Sequence, residues 1–200
     1  MIHTEFIASL CESLAELQKG RFLHREDLPE LWLLGSSAEF LNYGCHAQYG
    51  ISYGHFIRSE NGLKIVANLR DAYEKRYARI PKISIAVHCI GSDDPAVLKM
   101  MVRGYGVSLL QQLNGQERIL PSLETIKNSY FSDTDKERIR NAMSGNGVIV
   151  GNGSSVAAEL KALAEAYAAE DLMIVSHGYD LESRLDTFAT IMKHWELAAS

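Results

Sequence analysis

Short runs of apolar residues alternate along this chain with longer stretches in which apolar side chains return every three or four positions. The first pattern is that of a strand covered on both faces, the second that of an amphipathic helix. Residues 5–18 set Phe6, Ile7, Leu10, Leu14 and Leu17 on one helical face, with Thr4 as cap and Gly20 as stop. LWLLG at 31–35 predicts a strand buried on both faces, followed by a helix over about 38–49 that ends at Gly50. ISYGHFI, 51–57, is aromatic and β-branched and predicts a second strand. Ser59 is the expected cap of the next helix, which carries Ile65, Val66, Leu69, Tyr73 and Tyr77 inward and is stopped by Pro81. ISIAVHCIG at 83–91 is the third strand, and Asp94 with Pro95 opens a helix whose apolar face holds Val97, Met100 and Met101. Val156, Leu160, Leu163, Ala164 and Tyr167 form another helical stripe, LMIVS at 172–176 a fourth strand, and Asp180 caps a last helix with Leu181, Leu185, Phe188 and Trp195 inward.

Apolar strands alternating with amphipathic helices predict an α/β fold with parallel strands joined by right-handed crossovers. Residues 116–152 break the rhythm with polar runs such as YFSDTDKERIR. They read as an insertion before the last helix, strand and helix, containing a helical piece near 132–144 and a short VIV at 148–150 that adds no strand to the sheet.

The chain has 200 residues, which suits a single domain able to bury a core without staples. Its formal charge of −5 comes without any basic stripe, so nucleic acid is not an expected partner. The uncharged stretch at 40–57 holds too many glycines and polar groups for a membrane span, and the start lacks the basic and apolar regions of a signal peptide. Cys11, Cys45 and Cys89 make neither a disulfide framework nor a zinc site, so a reducing cytoplasm and no metal are expected.

In parallel sheets ligands bind beyond the carboxyl ends of the strands. After the first strand, Gly35 permits a tight turn while Ser36 and Ser37 offer hydroxyls and N–H groups at a helix start, a setting that holds phosphate. The plainer reading makes one of these serines a helix cap. The second turn carries Tyr53, His55 and Phe56, either the wall of a pocket for a flat ring system or hydrogen-bonded core. His88 and Cys89 are adjacent in a strand, so they point to opposite faces and form neither a metal pair nor a Cys–His nucleophile. His177 follows the last strand and is a more open candidate, whereas Asp180 reads as a cap. VGNGSSV at 150–156 reads as loop plus cap, lacking the context of a nucleotide motif.

With these turns in view, LWLLGSSAEF followed by AQYGISYGHFI resembles the fifth and sixth βα units of the bacterial luciferase-like, flavin-dependent monooxygenases. The stretch from FSDTDKERIR to SHGYDLESRL resembles their C-terminal end. The resemblance implies a TIM-type (β/α) barrel, here its C-terminal half with strands five to eight. It implies a site for reduced FMN supplied by a flavin reductase, and O2 with a small organic molecule as co-substrates. It implies cofactor contacts at Gly35, Ser36 and Ser37 for the phosphate and at His55 and Phe56 beside the flavin ring. It names no catalytic residue on this chain.

The sequence departs from the family at Phe40, Leu41 and Asn42, where a small hydroxyl residue is usual, and the first four βα units have no counterpart. Against a barrel of ~250 residues, four βα units are about half. An open parallel sheet leaves edges and an apolar face uncovered. Self-association, or pairing with a complementary N-terminal half, is therefore expected. The competing expectation is a truncated, non-catalytic half barrel that binds flavin weakly or serves only as an association module.

Overall fold

The computed structural model describes residues 30–197 and, before them, Ser9, Glu12 and Ser13. Of the helix expected at 5–18 only these three residues are described, and they are helical and exposed, while its apolar positions Phe6, Ile7, Leu10, Leu14 and Leu17 lie outside the described residues. In chain order the elements are β1 (Trp32–Gly35), α1 (Ala38–Ala47), β2 (Gly50–Gly54), α2 (Gly62–Tyr77), β3 (Ile83–Gly91), α3 (Pro95–Leu113), α4 (Leu123–Asn128), α5 (Asp133–Gly145), β4 (Ile149–Gly151), α6 (Gly153–Tyr167), β5 (Asp171–Ser176) and α7 (Leu181–Leu197). The strands follow one another as β1-β2-β3-β4, and β5 also pairs with β3. The α/β fold with a parallel sheet is thus as the apolar runs predict. Two compact units share the chain: residues 1–86 with 166–172, and residues 87–165 with 173–200.

In the first unit β1 and β2 are parallel, with Trp32 opposite Gly50 and Gly35 opposite Tyr53. β2 then pairs with the start of β3, Ile51 opposite Ile83 and Gly54 opposite Ala86. Every residue of β2 and β3 is buried, the polar Ser52, Ser84 and His88 along with their mostly apolar neighbours. β1 corrects the expectation of a strand covered on both faces: among the described residues it pairs only with β2, and Leu34 is 41% exposed. β2 is shorter than expected, because His55 and Phe56 have already left the ladder for a turn. Ser59 is not the cap of α2. The cap position is Asn61 in the left-handed region (φ 60°), without a side-chain bond, and Ser59 instead accepts the Gly62 N–H through its carbonyl.

In the second unit the end of β3 pairs in parallel with β4, Cys89 opposite Ile149 and Gly91 opposite Gly151. The apolar VIV therefore contributes a sheet strand, and the count among the described residues is five rather than four. Three residues are enough because Ile149 alone faces the core, buried at 4% exposure, while Val150 points out. The core around Ile90 gathers Met101, Tyr105 and Leu109 of α3 and Ile139 of α5. Asp94 caps α3, its carboxylate accepting from the N–H groups of Ala96 and Val97. Ser132 and Asp135 form a reciprocal capping box at the start of α5. Asp93 accepts from the Gly153 N–H and from Lys193 and His194, and these donors hold its carboxyl down at about 2.

α7 reverses the expected orientation. Asp180 does cap it, accepting from the Ser183 N–H at 2.8 Å, but Leu181 and Leu185 are 68% and 56% exposed and Phe188 and Trp195 only half-buried. The inward face is instead Ser183, Thr187, Thr190 and Ile191. The reason is a hydrogen-bonding demand: the Thr187 hydroxyl donates to the Gly91 carbonyl at 3.0 Å and accepts from the Gly91 N–H at 3.4 Å, closing the end of β3. No apolar side chain can meet those two backbone groups.

Candidate functional site

The parallel pairing of β1 with β2 brings the two turns singled out in the first unit to one carboxyl edge. A Cβ placed on Gly54 would lie 3.6 Å from the Gly35 carbonyl oxygen, so the chains leave the sheet side by side. Gly35 is buried at the end of β1, and a Cβ there would run into the Phe40 ring, which makes glycine necessary. Ser36 is half-buried in the turn. Ser37 is exposed and caps α1, its hydroxyl oxygen accepting from the Phe40 N–H at 3.1 Å. The capping role leaves that O–H free to donate, and the first N–H groups of a helix have no intrahelical acceptor.

His55 and Phe56 are half-buried in the second turn. His55 Nδ1 lies 3.0 Å from the Tyr167 hydroxyl, and the rings meet edge to face. Tyr167 also stacks on Tyr53, whose hydroxyl donates to the Arg58 carbonyl at 2.8 Å. Burial pushes the Tyr167 hydroxyl pKa up and the His55 pKa down, so the phenol stays protonated and the imidazole neutral. With Tyr167 donating to Nδ1, the ring proton of His55 sits on Nε2, where it can serve a ligand.

A second cluster occupies the second unit, at the carboxyl ends of β3 and β5. His88 Nε2 and His177 Nε2 are 3.3 Å apart, with the rings perpendicular. Burial first, and then the Arg118 guanidinium and neighbouring charges, hold both imidazoles down to about 4, so the pair is neutral near pH 7 and shares one N–H between the facing nitrogens. Tyr105 packs on His177 at 5.0 Å and on His88 at 6.2 Å, and Arg118 lies over the Tyr105 ring at 4.9 Å. Cys89, beside His88 in the strand, points away; burial pushes its thiol up to about 12, consistent with no nucleophilic pair.

The signal for this pairing was present but unconnected: His88 sits near the end of one apolar run and His177 just past another. Tyr105, in a helix, and Arg118, in a polar loop, carried no signal at all. Among the described residues no group of three or more His, Cys, Asp or Glu side chains is arranged to hold a metal, and no helix is long and apolar enough to cross a membrane.

No protein-family profile matches the chain. It is 26% identical over 175 residues to the uncharacterized Bacillus subtilis (strain 168) protein YwcH, a match covering 85% of this chain and 51% of YwcH. It is 24% identical over 163 residues to the uncharacterized protein YceB of the same organism, covering 80% and 48%. The chain thus spans about half the length of the curated relatives it matches. Among solved structures, apo-MsnO8 superposes with a TM-score of 0.73 at 20% identity, over 94% of this chain and 60% of that one. The long-chain alkane monooxygenase LadA gives 0.56 at 18% identity, over 86% and 42%. The EDTA monooxygenase EmoA from Chelativorans sp. BNC1 gives 0.56 at 18%, over 85% and 44%. At such identities the likeness concerns architecture, and the conclusion is that this chain has the parallel α/β fold shared by MsnO8 and by the monooxygenases LadA and EmoA.

Proposed function

We propose that the chain is part of a luciferase-like, FMN-dependent monooxygenase. On this reading it is one luciferase-like domain, the C-terminal half of a barrel, with 116–152 as an insertion that also supplies β4. It acts in the cytoplasm on a small organic substrate with O2 and takes reduced FMN from a separate flavin reductase. The observation that carries the reading is the emergence of the Gly35–Ser37 and His55–Phe56 turns from neighbouring carboxyl strand ends, in a fold shared with monooxygenases.

The donor set fits the cofactor. Ser36, the Ser37 O–H and the first N–H groups of α1 are suited to a phosphate, with Gly35 letting the chain turn under Phe40. His55, held by Tyr167, would present Nε2–H beside the ring system, and Phe56 would supply an apolar edge. Bound reduced flavin supplies the electrons that activate O2. Glu39 in the first turn of α1 opposes an anion, so the phosphate contacts are asked to overcome one unfavourable charge.

Titration of FMN by its fluorescence tests this. FMN is expected to bind at least ~10-fold more tightly than riboflavin, which lacks the phosphate, because charge-assisted hydrogen bonds contribute about 1.5–3 kcal/mol. Ser36→Ala is expected to remove most of that preference while leaving riboflavin affinity unchanged. Equal affinity for the two flavins, or none for either, would dismiss the assignment.

A second reading, an association module without turnover, is favoured by the outward face of α7. Leu181, Leu185, Phe188, Met192 and Trp195 recur at spacings of four and three, and the first two and Met192 are more than half exposed. Self-association through this stripe is the expected result in light scattering at micromolar concentration, and Leu185→Glu with Met192→Glu is expected to give a monomer. A wild-type monomer under the same conditions excludes the module.

A further inference from the structure

The second cluster has no task in the flavin reading, and its chemistry is one-sided. The charges that act on His177 are the guanidinium groups of Arg118 and Arg184, and among the described residues no carboxylate is a cause of the lowered pKa of His177 or His88. Asp180, Glu182, Asp186 and Asp94 act on the Tyr179 hydroxyl. In a chain of net charge −5, this is a local reversal of sign. Arg118 is exposed and lies over the face of the Tyr105 ring, and no hydrogen bond to another described residue takes up its N–H donors.

Tyr105 supplies the second observation. The residue is only 3% exposed, and its buried hydroxyl has no hydrogen-bond partner among the described residues. A buried hydroxyl left this way is destabilising, and native proteins rarely tolerate it without a reason. Tyr105 and His177 both line a small cavity, about 10 Å³ in size, together with Ser108 and Tyr179. That volume accommodates one oxygen-sized group. Leu120, another wall, is 55% exposed, so the cavity adjoins the surface beside the Arg118 loop.

We propose that Tyr105, His177 and Arg118 form a binding site for an oxyanion, and that its ligand is the carboxylate of a small organic acid. One carboxylate oxygen enters the cavity and accepts from the Tyr105 hydroxyl, and the other stays at the rim and accepts from Arg118. His88 is a positioning residue: its Nε2–H donates to His177 Nε2, which puts the ring proton of His177 on Nδ1 as a further donor. The organic tail points to solvent past Leu120. An inorganic oxyanion has the same acceptor chemistry, and the experiment separates the two sources. The inference goes beyond the flavin reading and does not depend on it.

The test is a titration of the full chain with sodium butyrate, followed by the imidazole resonances of His88 and His177, with butyramide and inorganic phosphate as parallel arms. Butyrate is expected to shift both resonances saturably in the millimolar range, butyramide to have no effect, and phosphate to bind more weakly. Arg118→Met, at an exposed position, is expected to lower butyrate affinity about 10-fold, the loss of one charge-assisted contact. Tyr105→Phe is expected to weaken butyrate binding several-fold without lowering the thermal midpoint of the free protein, because it deletes a hydroxyl that has no partner there. Absence of saturable shifts at about 100 mM butyrate, equal effects of butyramide, tighter binding of phosphate, or unchanged affinity in Arg118→Met each overturn the proposal. Failure of FMN to bind leaves it standing, and failure of butyrate to bind leaves the flavin reading standing.

Discussion

Ile90→Ala is expected to lower the free energy of unfolding by about 2–5 kcal/mol, read from urea denaturation. Ile90 has no exposed surface, and it contacts Met101, Tyr105 and Leu109 of α3 and Ile139 of α5 from the end of β3. Those partners sit on two helices whose backbones are held by their own hydrogen bonds, so they cannot collapse into the space that the lost methyl groups leave. The cavity term therefore adds to the lost transfer energy. The same substitution at Ile80, which is 62% exposed, is expected to stay within about 0.5 kcal/mol. A loss below about 1 kcal/mol at Ile90 would mean that this core repacks freely, contrary to the close contacts described.

The second large effect runs against hydrophobicity. Thr187→Val is expected to destabilise by about 1–3 kcal/mol although it adds apolar surface to a fully buried position. Valine has nearly the same shape, but it strands both the Gly91 carbonyl and the Gly91 N–H that the hydroxyl serves. Leu185→Ser, on the opposite face of the same helix, is expected to change stability of the monomer by no more than about 0.5 kcal/mol. Had α7 packed as its apolar stripe suggests, the two results would be exchanged. Chemical denaturation of both variants at a protein concentration that keeps them monomeric decides between the two orientations.

That exchange marks where sequence reasoning stops. ISIAVHCIG was legible end to end because its run, apolar apart from Ser84 and His88, suits a strand covered on both faces, and all nine residues are buried. The caps at Asp94 and Asp180 were legible too, and that at α1 was narrowed to Ser36 or Ser37, since a side-chain oxygen two or three residues ahead of an N–H is a purely local relation. VIV was misplaced because three apolar residues are too few to distinguish a strand from a loop, and only the neighbour β3 gives them a ladder. β1 was expected to be buried for the opposite reason: its run is apolar, but an edge has no second neighbour to cover it.

The candidate sites divide in the same way. Gly35, Ser36, Ser37, His55 and Phe56 stand next to strand ends, so their location at a carboxyl edge could be read from the alternation of elements. That Tyr167 holds His55 could not, because the two lie 112 residues apart. The His88–His177 pair spans 89 residues and joins Tyr105 and Arg118, which have no motif between them.

The sequence by itself determined most of the strands and helices, their parallel α/β order and which turns follow the strands, because these follow from local periodicity and capping. Tertiary structure alone decided which face of α7 turns inward, that β4 joins the sheet, and that two neutral histidines, a tyrosine and an arginine come together in one cluster. Each of those outcomes is set by hydrogen-bond partners or neighbours distant in the chain, and no local pattern encodes them.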